Sequence, residues 1–314
     1  MRGTTTRQAW VGLVVVYLLW GSVFLFTRLL ITDVPPLLAG AGRFLVGGAG
    51  LGVIVLASAG SGGFRMSARQ LGTSMLAGLL LPAWGNGLVG IAQTQVPSGI
   101  AALLLAVVPL LIVLLRLAFG DRPRAATLVG VAVGMLGLAT LVLAGSGSGG
   151  TSGNAWWGPW LVVLAGVGWA CGTFATTRMA VPPNPYAMAA VQMFTGGVIM
   201  TVVGVVSGAR LDVAAVPAST WWVWLGAALS TLGGFSGYAI ALRGLPVSTV
   251  ATYAYVNPVL AVVLGIVVAG ERFSVLQLVG GLVVVLAVVL VVAAERRPSD
   301  LGAGEEPLPD VPPR

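Results

Sequence analysis

Thr252–Arg272, TYAYVNPVLAVVLGIVVAGER, decides the architecture, because a second form of it stands about 150 positions earlier. Ala102–Arg122 reads ALLLAVVPLLIVLLRLAFGDR. In both copies an apolar run with a proline in its first half (Pro109, Pro258) ends at a Gly-acidic-Arg triplet: Gly120-Asp121-Arg122 and Gly270-Glu271-Arg272. Each triplet leads into another apolar run carrying Leu-Val-Gly, Leu128 to Gly130 and Leu278 to Gly280. Upstream, Val96-Pro97-Ser98 matches Leu245-Pro246-Val247. A chain that repeats itself at half its own length is built from two related halves.

The 314 residues are 57% hydrophobic and 8% charged, against about a quarter charged in soluble proteins. The net charge of +7 would point to nucleic acid in a soluble chain, but here arginines punctuate apolar runs and form no basic stripe. They read as membrane-flanking residues, and no nucleic-acid partner is expected. The single cysteine, Cys171, excludes an intrachain disulfide, and the absence of histidine removes the commonest metal ligand and general base. Neither a metal nor a cofactor is implied.

Apolar runs fall at about 10–29, 35–57, 71–92, 98–118, 126–145, 158–178, 185–207, 219–242, 247–269 and 275–294. Each is near the ~20 residues a helix needs to cross a bilayer. The expected fold is all-α and polytopic: ten transmembrane helices, five per repeat, over residues 1–145 and 158–296. The first run is too long for a signal peptide, lacks a small-residue cleavage site and reads as a retained helix. Residues 146–157 hold a Gly/Ser-rich linker, and 297–314, rich in Pro and acids, read as a disordered cytoplasmic tail.

With the N-terminus in the cytoplasm, the inside segments hold Arg2, Arg7, Arg65, Arg69, Arg122, Arg124, Arg178, Arg243, Arg296 and Arg297. Arg116 lies just inside a helix end and Arg314 in the tail, while the outside segments hold Arg28, Arg210 and Arg272. The asymmetry places both termini inside. Five is odd, so the second repeat starts from the opposite side: the halves are inverted in topology, an architecture common among secondary transporters.

Spans five and ten are apolar nearly throughout and read as peripheral, facing lipid or a partner subunit in a homodimer. Polar and aromatic residues concentrate on the other spans. The candidate substrate-binding residues are Trp20, Arg43, Trp84, Asn86, Trp169, Gln192, Tyr238, Tyr253 and Asn257. Arg43 lies roughly 12 Å into span two, where a charge costs a few kcal/mol or more unless paired or hydrated. It contacts a substrate anion or is capped structurally. Tyr253 and Tyr255 point about 200° apart on a helix, whereas Tyr253 and Asn257 share a face. Trp156, Trp157, Trp160, Trp221, Trp222 and Trp224 sit at span ends and read as an interfacial belt. Pro109 and Pro258 free carbonyls one turn back and act as hinges or static kinks. Asp121 and Glu271 serve in structural pairing with their arginine neighbours or in a gate.

Spans one and six also correspond: GSVFLFTR ending at Arg28 lies over CGTFATTR ending at Arg178. Two inverted five-helix repeats, Trp-Gly-Ser-x-Phe in span one, a proline in spans four and nine, and Gly-Asp/Glu-Arg after each together resemble the EamA family of the drug/metabolite transporter superfamily. The resemblance covers about residues 8–296. It implies export or exchange of small metabolites, often amino acids, across a bacterial inner membrane by alternating access, or alternatively multidrug export. An enzyme is the rival class. Gly234-Phe235-Ser236-Gly237 looks like the GxSG of intramembrane serine proteases, but the chain has neither histidine nor lysine to act as the base. The acidic residues lie at span ends, in loops or in the tail, so no carboxylate cluster for a divalent metal is expected.

The topology is testable by labelling. Cysteines placed at Ser148 and Glu306, in a Cys171→Ser background, are expected to react from opposite sides of the membrane; reaction from one side would break the inverted assignment.

Overall fold

The computed structural model describes residues 6–145 and 157–295. The linker ahead of Trp157, Trp156 itself and the expected tail lie outside the described residues.

The described residues form helices joined by short turns. Span one is Thr6–Gly21 and Val23–Leu30, span two Pro36–Ala59, and span three Ala68–Ala92. Span four is Ser98–Leu105 and Val108–Ala118, and span five Ala125–Gly145. Spans six to eight are Trp157–Arg178, Pro185–Val206 and Ala218–Leu242. Span nine is Val247–Val250 and Tyr253–Val267, and span ten Val275–Glu295. Side chains start several of these helices: Ser67 and Gln70 cap span three reciprocally, as Ser274 and Gln277 do span ten, and Asn184 accepts the N–H of Tyr186 and Ala187 at span seven.

Helix pairing shows the twofold relation of the repeats. Span one packs on span eight as span six packs on span three, while span two pairs with seven, four with nine and five with ten. Each of these last pairs is one element with its own counterpart.

Tertiary hydrogen bonds sort the loops into two faces. On one, Arg28 donates to the Gln93 carbonyl, Thr220 to Asp33, and Ser98 and Gly99 N–H to Glu271. On the other, Gln70 donates to the Val181 carbonyl, Arg178 to Asp121, and Arg124 to the Ala294 carbonyl. Asp121 and Glu271, equivalent in sequence, therefore stand on opposite faces, and the repeats are inverted.

Without a hydrophobic force between helices in lipid, close packing must hold the bundle, and small residues permit it. A Cβ on Gly12 would stand 2.7 Å from the Gly237 carbonyl oxygen, and one on Gly237 would stand 2.8 Å from that of Gly12. Spans one and eight thus touch backbone to backbone. Gly137 of span five does the same against span ten, 2.9 Å from Val284 N. Spans five and ten pack on each other through Gly130, Gly134, Gly137 and Ala287, leaving Leu136, Leu143, Leu282 and Leu286 exposed outward.

Four of the expected continuous helices are interrupted. Span one breaks at Ser22 behind Gly21, span four at Ala106-Val107, and span nine at Ala251-Thr252. In span three, Leu79–Asn86 is wound as a π-helix around Pro82. Pro109 explains the second break, since it has no N–H for the Leu105 carbonyl. Span nine tightens instead, with Thr252, Ala254 and Tyr255 N–H each reaching the carbonyl three residues back.

Candidate functional site

The interrupted spans carry most of the candidate residues. Trp20, just before the break in span one, stacks on Tyr238 of span eight with centroids 5.5 Å apart. It meets Tyr253 of span nine edge-on at 5.2 Å and Phe235 at 5.3 Å. Tyr238 and Tyr253 meet edge-on at 5.9 Å. Trp20 reaches its partners because Gly234 has no side chain where the indole lies. One turn earlier, the Tyr17 hydroxyl bonds Thr252 Oγ1, which itself donates to the Thr249 carbonyl at 2.5 Å. The break in span nine is thus tied to span one.

Phe235 also packs against the core formed by Phe44, Leu51, Ala83 and Met193, which leads to the second group. There Arg43, 4% exposed, donates from Nη2 to Asn86 Oδ1 at 3.0 Å, with its guanidinium carbon 4.4 Å from the Phe44 ring centre. Asn86 Nδ2 in turn donates to the Leu81 carbonyl inside the π-turn, at 3.1 Å. Both ends of the Asn86 amide are therefore committed, and it orients Arg43. Arg43 Nε and Nη1 are buried without an acceptor. A buried donor left unpaired costs about 1–3 kcal/mol, so Nε and Nη1 are the two guanidinium donors still available to an acceptor.

The remaining candidates divide. Trp169 lies over Gly85, beside Asn86, with its indole N–H buried and unpartnered. Asn257 is buried with Oδ1 unpartnered, and Gln192 is half-buried on span seven. Trp84 is 42% exposed and donates to the Leu164 carbonyl at 2.9 Å, over Gly168 at the crossing of spans three and six. The structure does not bring it to either group. Tyr255 turns away to the core of spans four, five and ten. Trp224, placed by sequence in the interfacial belt, packs instead over Gly42, next to Arg43, and stacks on Trp221 at 5.2 Å.

Neither acidic residue of the repeated triplet pairs with its chain neighbour. Asp121 is held by Arg116 Nε at 3.2 Å and by Arg178 Nη2 at 3.0 Å. Glu271 accepts Ser98 N–H at 2.6 Å and Gly99 N–H at 3.1 Å, capping the first piece of span four. Sequence reasoning missed Tyr17, Phe235 and Pro82. The signals were Tyr17 three residues before Trp20, Phe235 three before Tyr238, and an asparagine four residues after an internal proline.

The EamA-like transporter family profile matches residues 8–143 and again 156–293, once per repeat. The chain belongs to the EamA-like transporter family. It is 34% identical over 284 residues to an uncharacterized inner membrane transporter, YedA, of Escherichia coli K12, covering 89% of each chain. It is 30% identical over 297 residues to a probable terminal-alkyne amino-acid exporter of Streptantibioticus cattleyicolor, covering 91% of this chain and 93% of that one. A solved crystal structure shares the fold with a TM-score of 0.60 at 21% identity, over 91% of this chain and 96% of that one. The protein is a multi-pass membrane transporter.

The hydrogen bond from Arg116, reinforced by Arg178, lowers the Asp121 pKa below its ordinary 3.8. A carboxylate with a depressed folded-state pKa stabilises above its unfolded value and loses that contribution as pH falls through the folded one. The stability difference between the wild type and Asp121→Asn, read as thermal midpoints in detergent, should be constant from pH 7 to 5 and vanish only on acidification below the ordinary carboxylate range. Loss of the difference already between pH 7 and 5 would refute the pairing.

Proposed function

We propose that this transporter exports or exchanges amino acids or related organic anions across the inner membrane by alternating access, with both termini in the cytoplasm. The observation that carries the reading is Arg43, whose Nε and Nη1 are buried and unpartnered. A carboxylate supplies the acceptors these donors lack, and charge-assisted bonds to a guanidinium are among the strongest available. The Trp20, Tyr238, Tyr253 and Phe235 rings supply a surface for an apolar or aromatic side chain. The amino-acid exporter among the relatives and the inner-membrane relative support the substrate class and the location. The arginine distribution supports the orientation.

Asp33, Asp121, Asp212 and Glu271 lie in turns between spans. With no carboxylate placed deep in a described span to relay a proton, the substrate gradient drives transport, and exchange proceeds without a pH gradient.

Counterflow in proteoliposomes without a pH gradient, over the proteinogenic amino acids, tests the reading. Arg43→Ala should lower kcat/KM for the fastest carboxylate substrate about 10- to 100-fold, the loss of a hydrogen-bonded charge. Arg43→Lys should recover only part, since a point charge lacks the planar fork. Export of a quaternary ammonium compound that is unaffected by Arg43→Ala would refute it.

A further inference from the structure

The repeated Gly-acidic-Arg triplet is left unexplained by substrate recognition, and its two copies are used differently. Gly270 has φ +63° and Gly120 φ +88°, the left-handed region that glycine enters without strain. In each copy this turn directs the next N–H back to the helix just ended, Glu271 N–H to Gly265 and Asp121 N–H to Arg116. In the second copy the Glu271 carboxylate lies across Gly265, where a Cβ would collide with Oε2. From there it reaches the N-terminus of span four in the other repeat.

That N-terminus is made to receive it. Pro97 precedes span four, and the first two free N–H groups, Ser98 and Gly99, each take one carboxylate oxygen. A helix N-terminus favours negative charge. Around the cap the fit is tight: a Cβ on Gly99 would stand 2.8 Å from Phe273 and 3.0 Å from Val262 Cα. Ser98 is fully buried. On this face the first piece of span four, Ser98–Leu105, packs on Tyr253–Val267 of span nine. Toward the other face the second piece, Val108–Ala118, packs on span six, while Val247–Val250 packs on span eight. The first copy cannot copy this closure, because Leu115 stands where the second has Gly265, and Asp121 turns to Arg116 and Arg178.

We propose that Glu271 is the latch of the transporter's gate on its own face. In this structure the latch is shut, with the carboxylate clamping the span-four N-terminus against the end of span nine. Passage of substrate through this face requires the clamp to release and Ser98–Leu105 to swing about the break at Ala106-Val107. The proposal rests on transport by alternating access and not on the role of Arg43.

The test is accessibility. Cysteine at Ser98, in a Cys171→Ser background, is exposed to a membrane-impermeant thiol reagent added separately to each side of oriented vesicles. With Glu271 present, labelling should be slow from both sides. Glu271→Gln keeps the size but loses the charge, and it should speed labelling about tenfold or more from the Glu271 face alone, the factor carried by a lost charge-assisted hydrogen bond. Gly265→Ala, which displaces the carboxylate without altering it, should act in the same direction and serves if Glu271→Gln does not fold, as judged by a symmetrical size-exclusion peak. Unchanged labelling in folded variants, or faster labelling from the opposite face, would overturn the proposal.

Discussion

Inside a bilayer the backbone has only protein to bond to, so a break in a membrane helix must sit where other helices cover it. The structure obeys this constraint throughout. Ala106 and Val107 are buried at the span-four break, Pro82 and Ala83 in the π-turn of span three, and the Thr252 hydroxyl satisfies the Thr249 carbonyl at the break in span nine. The interruptions fall in spans one, three, four and nine, and spans five and ten, packed on each other at the periphery, are continuous. At the breaks of spans one, three and nine, the side chains of Ser22, Asn86 and Thr252 donate to the Leu19, Leu81 and Thr249 carbonyls.

Arg43 is where such pairing stays incomplete. Pro82 forces the π-turn, Asn86 bonds the Leu81 carbonyl within it, and its remaining oxygen steadies one nitrogen of the guanidinium. The other two nitrogens are buried with no hydrogen-bond acceptor among the described residues. Close glycine crossings hold this arrangement: Trp169 fits over Gly85 and Trp20 over Gly234, so a tryptophan of spans one and six is seated on a glycine of spans eight and three.

Much of this was legible in the sequence. Ten apolar runs, the offset of about 150 residues and the odd number of spans per half were enough for the inverted fold. What remained hidden was whatever depends on distant pairing. Glu271 finds Ser98 across 173 positions, and no local pattern announces it; the adjacent Arg272 suggested an ion pair instead. Arg43 could be recognised as a buried charge, but its partner Asn86 lies 43 residues away on a turn whose winding follows from Pro82. The contacts of Trp84 and Trp224 were hidden for a related reason: position along a span does not tell which side of the helix a residue takes, and Gly168 and Gly42 on neighbouring helices decide where the two indoles settle. Gly21-Ser22 was a readable kink signal, since Gly/Ser pairs are recurrent sites of helix bending.

The central claim is that Nε and Nη1 of Arg43 receive a carboxylate. The most direct measurement is calorimetric binding to the purified protein of the amino acid that exchanges fastest and, in parallel, of its carboxamide, which keeps the side chain and the amino group and removes only the negative charge. The account predicts that the acid binds about tenfold or more tightly than the amide, the worth of one charge-assisted hydrogen bond. Equal affinities would show that the buried cation does not read the carboxylate, and would contradict it.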